Sequence, residues 1–171
     1  MSRSPWKRFQ YNPQVDEAQL APLISEFLEV LPDNDKAWRR LLKKYPKPQG
    51  GFFSKTEMIA GYRALKDRYN WVINESELLS ALKMKPTRTQ SGVAPVTVLT
   101  KPYPCPGQCI FCPNDVRMPK SYLADEPGAQ RATLNRFDPY AQTWNRLLAL
   151  YRMGHPVAKV ELIVLGGTWS S

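Results

Sequence analysis

Apolar residues recur at helical spacing from Asp16 to Leu31, where Leu20, Leu23, Ile24, Phe27, Leu28 and Leu31 share one face. Pro32-Asp33-Asn34-Asp35 stops that helix and offers caps for a second, over about Asp35 to Tyr45. The second helix sets Ala37, Trp38, Leu41, Leu42 and Tyr45 on one side, and Lys36, Arg39, Arg40, Lys43 and Lys44 on the other. Past the Pro- and Gly-rich loop 46–51, the pattern predicts a third helix over Ser54 to Tyr69. A fourth covers Glu75 to Met84 and stops at Lys85-Pro86. The period then changes. Val93 to Thr100 is β-branched and apolar and reads as a strand. After the irregular stretch 113–128, one helix is expected from about Ala129 to Arg152, closed by Gly154 where a left-handed residue is wanted. Lys159 to Leu165 is a second strand, ended by Gly166-Gly167-Thr168.

Strand, long loop, helix, strand is a βαβ unit and implies parallel pairing. The fold class expected is therefore α/β, mixed α+β overall. Residues 1–86 form a small helical domain and residues 87–171 the first βαβ unit of a larger sheet or barrel. Two parallel strands with open edges need further strands or a partner, so the chain is expected to be the N-terminal part of a longer protein.

Length and composition narrow the partners. The 171 residues allow one large domain or two small ones, and 43% hydrophobic content supports a real core. Lys+Arg 24 against Asp+Glu 15 gives a net charge of +9, which points to a polyanionic partner, nucleic acid ahead of membrane. Residues 1–92 carry 16 basic and 10 acidic side chains against 8 and 5 beyond, so the helical half is the expected polyanion-binding surface. Within it, Arg39, Arg40, Lys43 and Lys44 are the candidate phosphate contacts, a solvated helix face being an equal explanation. Trp6, Phe9 and Tyr11, interleaved with Lys7 and Arg8, suit base stacking or packing onto the helices. No apolar run is long enough for a membrane helix, and the first residues lack the apolar stretch of a signal peptide, so the expected location is cytoplasmic.

The three cysteines are Cys105, Cys109 and Cys112, in the spacing C-x-x-x-C-x-x-C directly after the first strand. An odd, crowded set argues against disulfides and for a metal or cluster site. A [4Fe–4S] cube bound by three thiolates has one iron without a protein ligand, and that iron can hold the amino and carboxylate groups of S-adenosylmethionine and cleave its sulfonium reductively. A structural zinc site would want a fourth Cys or His nearby, and the single histidine, His155, lies far along the chain. Gly166, Gly167 and Thr168 end the second strand with free backbone groups suited to the amino end of S-adenosylmethionine, although a tight turn also explains them. Asp125 and Glu126 precede Pro127 at a helix start, where capping and the helix dipole account for them. Tyr122 suits either an approach to the site or packing.

With these residues in view, the chain resembles the family of the Elongator catalytic subunit and its bacterial and archaeal homologues. The resemblance is carried by 85–100 (KPTRTQSGVAPVTVLT), by Pro104-Cys-Pro-Gly-Gln-Cys-Ile-Phe-Cys-Pro113, by Lys120-Ser-Tyr122, Asp125-Glu-Pro127, Phe137-Asp-Pro-Tyr-Ala-Gln-Thr143 and Gly154-His155, and by Lys159-Val-Glu-Leu-Ile-Val-Leu-Gly-Gly-Thr168. It spans about Lys83 to the end. It implies a radical S-adenosylmethionine enzyme on a partial TIM-like barrel that makes 5-carboxymethyluridine at the tRNA wobble position, with acetyl-CoA as the two-carbon donor. In the family's proposed mechanism a deoxyadenosyl radical takes hydrogen from the acetyl methyl, and the carbon radical adds to C5 of uridine. Cys105, Cys109 and Cys112 match the family's cluster ligands, and Lys159 matches a lysine associated with acetyl-CoA. The resemblance also implies tRNA and an electron donor as partners, and no membrane. The family carries an acetyltransferase-like domain and further barrel strands absent from these residues, so activity is expected of the intact protein and not of this stretch by itself. A noncatalytic basic RNA-binding module with a structural metal is the alternative.

Overall fold

The computed structural model describes residues 12–72, 75–107, 109–113 and 115–167. They divide into two compact units, one drawn from residues 12–86 with 151–155 and one from residues 87–150 with 156–167.

The first unit is helical. A short 3-10 turn, Pro13–Asp16, leads into α1 (Glu17–Val30), which ends on Leu31 in the left-handed region at φ 41°. α2 (Asp35–Lys44) starts where Asn34 Oδ1 accepts the Ala37 N–H at 2.9 Å, the cap the sequence offered. α3 (Lys55–Tyr69) opens with a full capping box, in which Ser54 and Glu57 satisfy each other's backbone N–H groups. α4 (Glu75–Leu82) follows. Leu20, Leu23, Ile24 and Phe27 of α1 bury themselves against Leu41 and Leu42 of α2, Met58, Ile59 and Tyr62 of α3, and Leu78 and Leu82 of α4. Gly61 sets the approach of α1 to α3, because a Cβ there would stand 2.5 Å from Leu20 Cδ2. The edge of the Phe27 ring meets Trp38 at 5.7 Å between centroids.

The second unit is α/β. β1 (Ala94–Leu99) and β2 (Val160–Leu165) pair in parallel with Ala94 opposite Val160 and Leu99 opposite Leu165, the βαβ arrangement the order of elements implies. β1 is buried along most of its length, whereas Val160, Leu162 and Val164 of β2 are exposed. The connection departs from expectation. Instead of one helix from about Ala129 to Arg152 there are two, α5 (Pro127–Leu134) and α6 (Pro139–Arg152). Between them Arg136 and Phe137 adopt left-handed backbone at φ 53° and 56°, and the Asp138 carboxylate accepts the Ala141 N–H at 2.6 Å to start α6 with Pro139 in its first turn. The Asp-Pro pair thus restarts a helix where the apolar period seemed to continue. Gly154 (φ 84°) closes α6 as expected, its N–H on the Tyr151 carbonyl. Leu99, Met118, Ala129 and Ala132 form the core of this unit, with Tyr122 packed against it. Gln142 of α6 donates to the Leu99 carbonyl at 2.9 Å and accepts the Leu99 N–H at 3.0 Å, closing the end of β1 on the side away from β2. No helix among the described residues is long and apolar enough to cross a membrane.

Candidate functional site

Chemistry-bearing residues gather where both strands of the second unit end. β1 runs out at Leu99 into Thr100, Lys101 and the cysteine loop, and β2 runs out at Leu165 into Gly166 and Gly167. Parallel pairing places the two exits side by side, with the Thr100 N–H on the Leu165 carbonyl at 2.9 Å. Here the glycines are sterically required. A Cβ on Gly166 would collide with Thr100 Oγ1, and one on Gly167 would stand 3.2 Å from Lys120 Cβ. A cavity of about 200 Å³ results, lined by Thr100, Lys101, Tyr103, Cys105, Lys120 and Gly167, with Pro104 and Pro119. Ligands of α/β sheets bind at this carboxyl end of the strands.

Of the expected ligands, Cys105 lines the cavity. Its sulfur accepts the Gly107 N–H at 3.4 Å. A Cβ on Gly107 would be 3.5 Å from the Cys105 sulfur and 3.8 Å from that of Cys109, so the two sulfurs flank one glycine and are no further apart than those distances together. Cys109 is exposed, and the Cys112 N–H donates to its carbonyl at 3.1 Å. The Cys112 sulfur lies 3.8 Å from the Pro113 carbonyl and 4.0 Å from Ser121 Oγ. No three His, Cys, Asp or Glu side chains stand together at metal-binding distance among the described residues. The donor set nevertheless fits an iron–sulfur group, since it offers three soft thiols on one short loop and two of the sulfurs lie near Gly107. The apolar side chains between them, Ile110 and Phe111, are exposed, so the loop has not spent its contacts on a core.

Thr168 lies outside the described residues, as do Trp6, Lys7, Arg8, Phe9 and Tyr11. Lys159 is exposed and precedes β2; its carbonyl takes the Ala94 N–H at 2.8 Å. At about 3.3 Å per residue it sits roughly 20 Å of strand from Gly166, at the opposite end of the sheet from Cys105. The structure therefore does not bring Lys159 together with the cavity. Tyr122 packs on the core, and Glu126 begins α5 with its carboxylate on the Leu123 N–H. His155 is buried beyond the turn that ends α6. Two cations stand in the cavity wall: Lys101 escaped the motif reading, and Lys120 entered it only within Lys120-Ser-Tyr122. The position of Lys101 at a strand exit would have flagged it, whereas nothing local announces that Lys120 meets Gly167.

The basic face of α2 is the second candidate surface. Asp35, Lys36, Arg39, Arg40 and Lys43 line a shallow depression of about 540 Å³ in the helical unit. Lys44 does not share it. Its ammonium is held by Glu26 of α1, whose other oxygen takes the Tyr45 hydroxyl at 2.8 Å. Those bonds, Lys44 first and Tyr45 second, hold Glu26 below the usual carboxylate range, and the same Glu26 bond raises Lys44.

No family model matches the chain. Among the curated proteins to which it bears clear similarity are three from different organisms. The tRNA uridine(34) acetyltransferase of Methanocaldococcus jannaschii is 48% identical over 98 residues, covering 54% of this chain and 18% of that protein. That of Dehalococcoides mccartyi is 49% identical over 87 residues, covering 51% and 19%. Elongator complex protein 3 of Bos taurus is 36% identical over 148 residues, covering 80% and 25%. The chain has homologues named tRNA uridine(34) acetyltransferase and Elongator complex protein 3, at 36–49% identity. It spans between about a fifth and a quarter of the length of these homologues. The homology agrees with the family resemblance carried by the strand, cysteine-loop and Gly-Gly segments.

Proposed function

We propose that this chain is the N-terminal part of a radical S-adenosylmethionine enzyme of the cytoplasm, which converts wobble uridine of tRNA to 5-carboxymethyluridine with acetyl-CoA. The activity is proposed for the whole protein, and the residues described here supply its cluster loop and part of its RNA surface. The observation that supports this most is the cavity at the two strand exits, where Cys105, Lys120 and Gly167 converge. Cys105, Cys109 and Cys112 would hold a [4Fe–4S] group. When bound, that group supplies the electron that cleaves S-adenosylmethionine reductively.

The chain's own residues do the positioning. Gly166 and Gly167, without side chains at the end of β2, would offer backbone carbonyls to an ammonium. The ammonium groups of Lys101 and Lys120 offer charge-assisted donors to a carboxylate entering the same cavity. Lys159, matched to the family's acetyl-CoA lysine, would serve a separate part of the substrate path, given its place at the far end of β2. Lys36, Arg39, Arg40 and Lys43 would meet RNA phosphates.

Anaerobic reconstitution with iron and sulfide, followed by reduction and electron paramagnetic resonance, tests the reading. The expected result is a [4Fe–4S] signal that changes on adding S-adenosylmethionine and is lost in Cys109→Ala. Stoichiometric zinc with no iron or sulfide uptake would overturn it in favour of an RNA-binding module with a structural metal.

A further inference from the structure

Beyond the cysteines the chain makes a tight turn over residues 119–122, closed by the Tyr122 N–H on the Pro119 carbonyl at 3.2 Å. Both ends are anchored. Met118 and Pro119 are buried, and Tyr122 packs on the core that Leu99 and Met118 share. The third residue of the turn, Ser121, has φ 77°. A turn with positive φ at that place normally takes Gly or Asn there, so the serine is held at a conformational cost. Strain of this kind persists where the surroundings enforce it, and it directs attention to what the side chain does.

The turn gives consecutive side chains different neighbours. Lys120 stands in the cavity wall against Gly167. Ser121 is exposed, and its Oγ lies 4.0 Å from the Cys112 sulfur. The other contact of that sulfur, to the Pro113 carbonyl at 3.8 Å, needs a proton on the thiol. A thiolate bound to iron has no proton to give, so that contact ends on metal binding. The Ser121 contact does not. A hydroxyl both donates and accepts, and its proton can turn toward a negatively charged sulfur without any backbone movement. Cys105 has a matching donor, the Gly107 N–H on its sulfur at 3.4 Å.

We propose that the Ser121 hydroxyl donates a hydrogen bond to the Cys112 sulfur and raises the reduction potential of the iron–sulfur group that the three cysteines hold. The inference rests on the reading of Cys105, Cys109 and Cys112 as ligands of that group. It goes beyond that reading by naming a residue outside the cysteine motif that sets how readily the group takes an electron. The reduced form carries one more negative charge, spread in part over the sulfurs, so a donor hydrogen bond favours it over the oxidised form.

The test uses the whole 171-residue chain with its Ser121→Ala and Ser121→Gly variants, each reconstituted anaerobically with iron and sulfide. The midpoint potential is read by stepwise reduction with dithionite, followed by electron paramagnetic resonance. Both variants are expected to take up as much iron and sulfide as the parent and to show a more negative potential, shifted alike. Ser121→Gly is also expected to melt above the parent, because glycine adopts positive φ without strain. Parent-like potentials in both variants overturn the proposal. A shift in only one of them also overturns it, since the effect would then belong to the backbone and not to the hydroxyl. Variants that take up no iron while the parent does overturn it as well, because Ser121 would then build the site instead of adjusting it. A parent chain that takes up neither iron nor sulfide overturns the ligand reading, and this inference with it.

Discussion

The helical unit and the α/β unit use their apolar residues to different ends. Four helices share one contiguous core in the first, and Leu20, Leu23, Ile24, Met58, Ile59, Leu78 and Leu82 are fully buried there. In the second, the core around Leu99 is small, while Ile110, Phe111 and Val116 of the cysteine loop and Leu162 of β2 face solvent. Stability is concentrated where there is no candidate reaction chemistry. Residues with chemistry sit on a loop that few packing contacts fix, as expected of segments that must accept a ligand.

The sharpest way to break this contrast is a matched pair of phenylalanine truncations. Phe27→Ala, which empties a fully buried position beside Trp38, is expected to cost about 3–5 kcal/mol in urea unfolding of the chain. Phe111→Ala, at 93% exposure, should stay within about 0.5 kcal/mol of the parent. A Phe111 loss of the Phe27 size would show that the loop is packed after all. Gly61→Ala comes next, at about 1–3 kcal/mol, because the new methyl enters the space of buried Leu20 and Ile24. Unchanged stability would mean that α1 and α3 can move apart freely.

Ser54→Ala removes one half of the capping box and is expected to cost about 1 kcal/mol. Its partner Glu57 adds a pH signature. Burial by itself would raise that carboxyl, but hydrogen bonds from Lys47 and from the Ser54 backbone and hydroxyl outweigh it and hold the group below the usual range. A lowered folded-state value means the contribution is present above the unfolded value of about 4.3, and is lost as pH falls through the folded one. Glu57→Gln should therefore narrow its stability gap to the parent as the pH is lowered into that window. A gap constant down to the acid transition would exclude the linkage. The smallest expected effect on folding comes from changing Arg39, Arg40 and Lys43 together to glutamine. Melting should be unchanged, while the slope of log affinity for single-stranded RNA against log salt falls by up to about 2. An unchanged slope would move the RNA surface off α2.

Much of the fold was legible because its signals are local. The apolar faces of α1 to α3, the Asn34 and Ser54 caps, Gly154 and the two strands are each written within a few residues, and the βαβ order carries parallel pairing with it. The break between α5 and α6 was missed because the apolar period runs through it. Asp138-Pro139 marks the restart, but no Gly or Asn announces left-handed backbone at Arg136 and Phe137. For the site, the crowding of the three cysteines and the Gly-Gly strand end were visible as chemistry. Lys120 beside Gly167 and Glu26 holding Lys44 depend on how distant segments pack, which no spacing rule encodes.

Gln142 gives the sheet a direction. By filling the Leu99 N–H and C=O with its own amide, it leaves that end of β1 nothing to offer a further strand, in the way that natural proteins blunt an edge against unwanted pairing. Any extension of this sheet is thereby steered to the far side of β2, whose outer edge has no such stopper among the described residues. A single side chain thus decides which way the sheet can be enlarged, and guards its first strand against neighbouring molecules while that enlargement takes place.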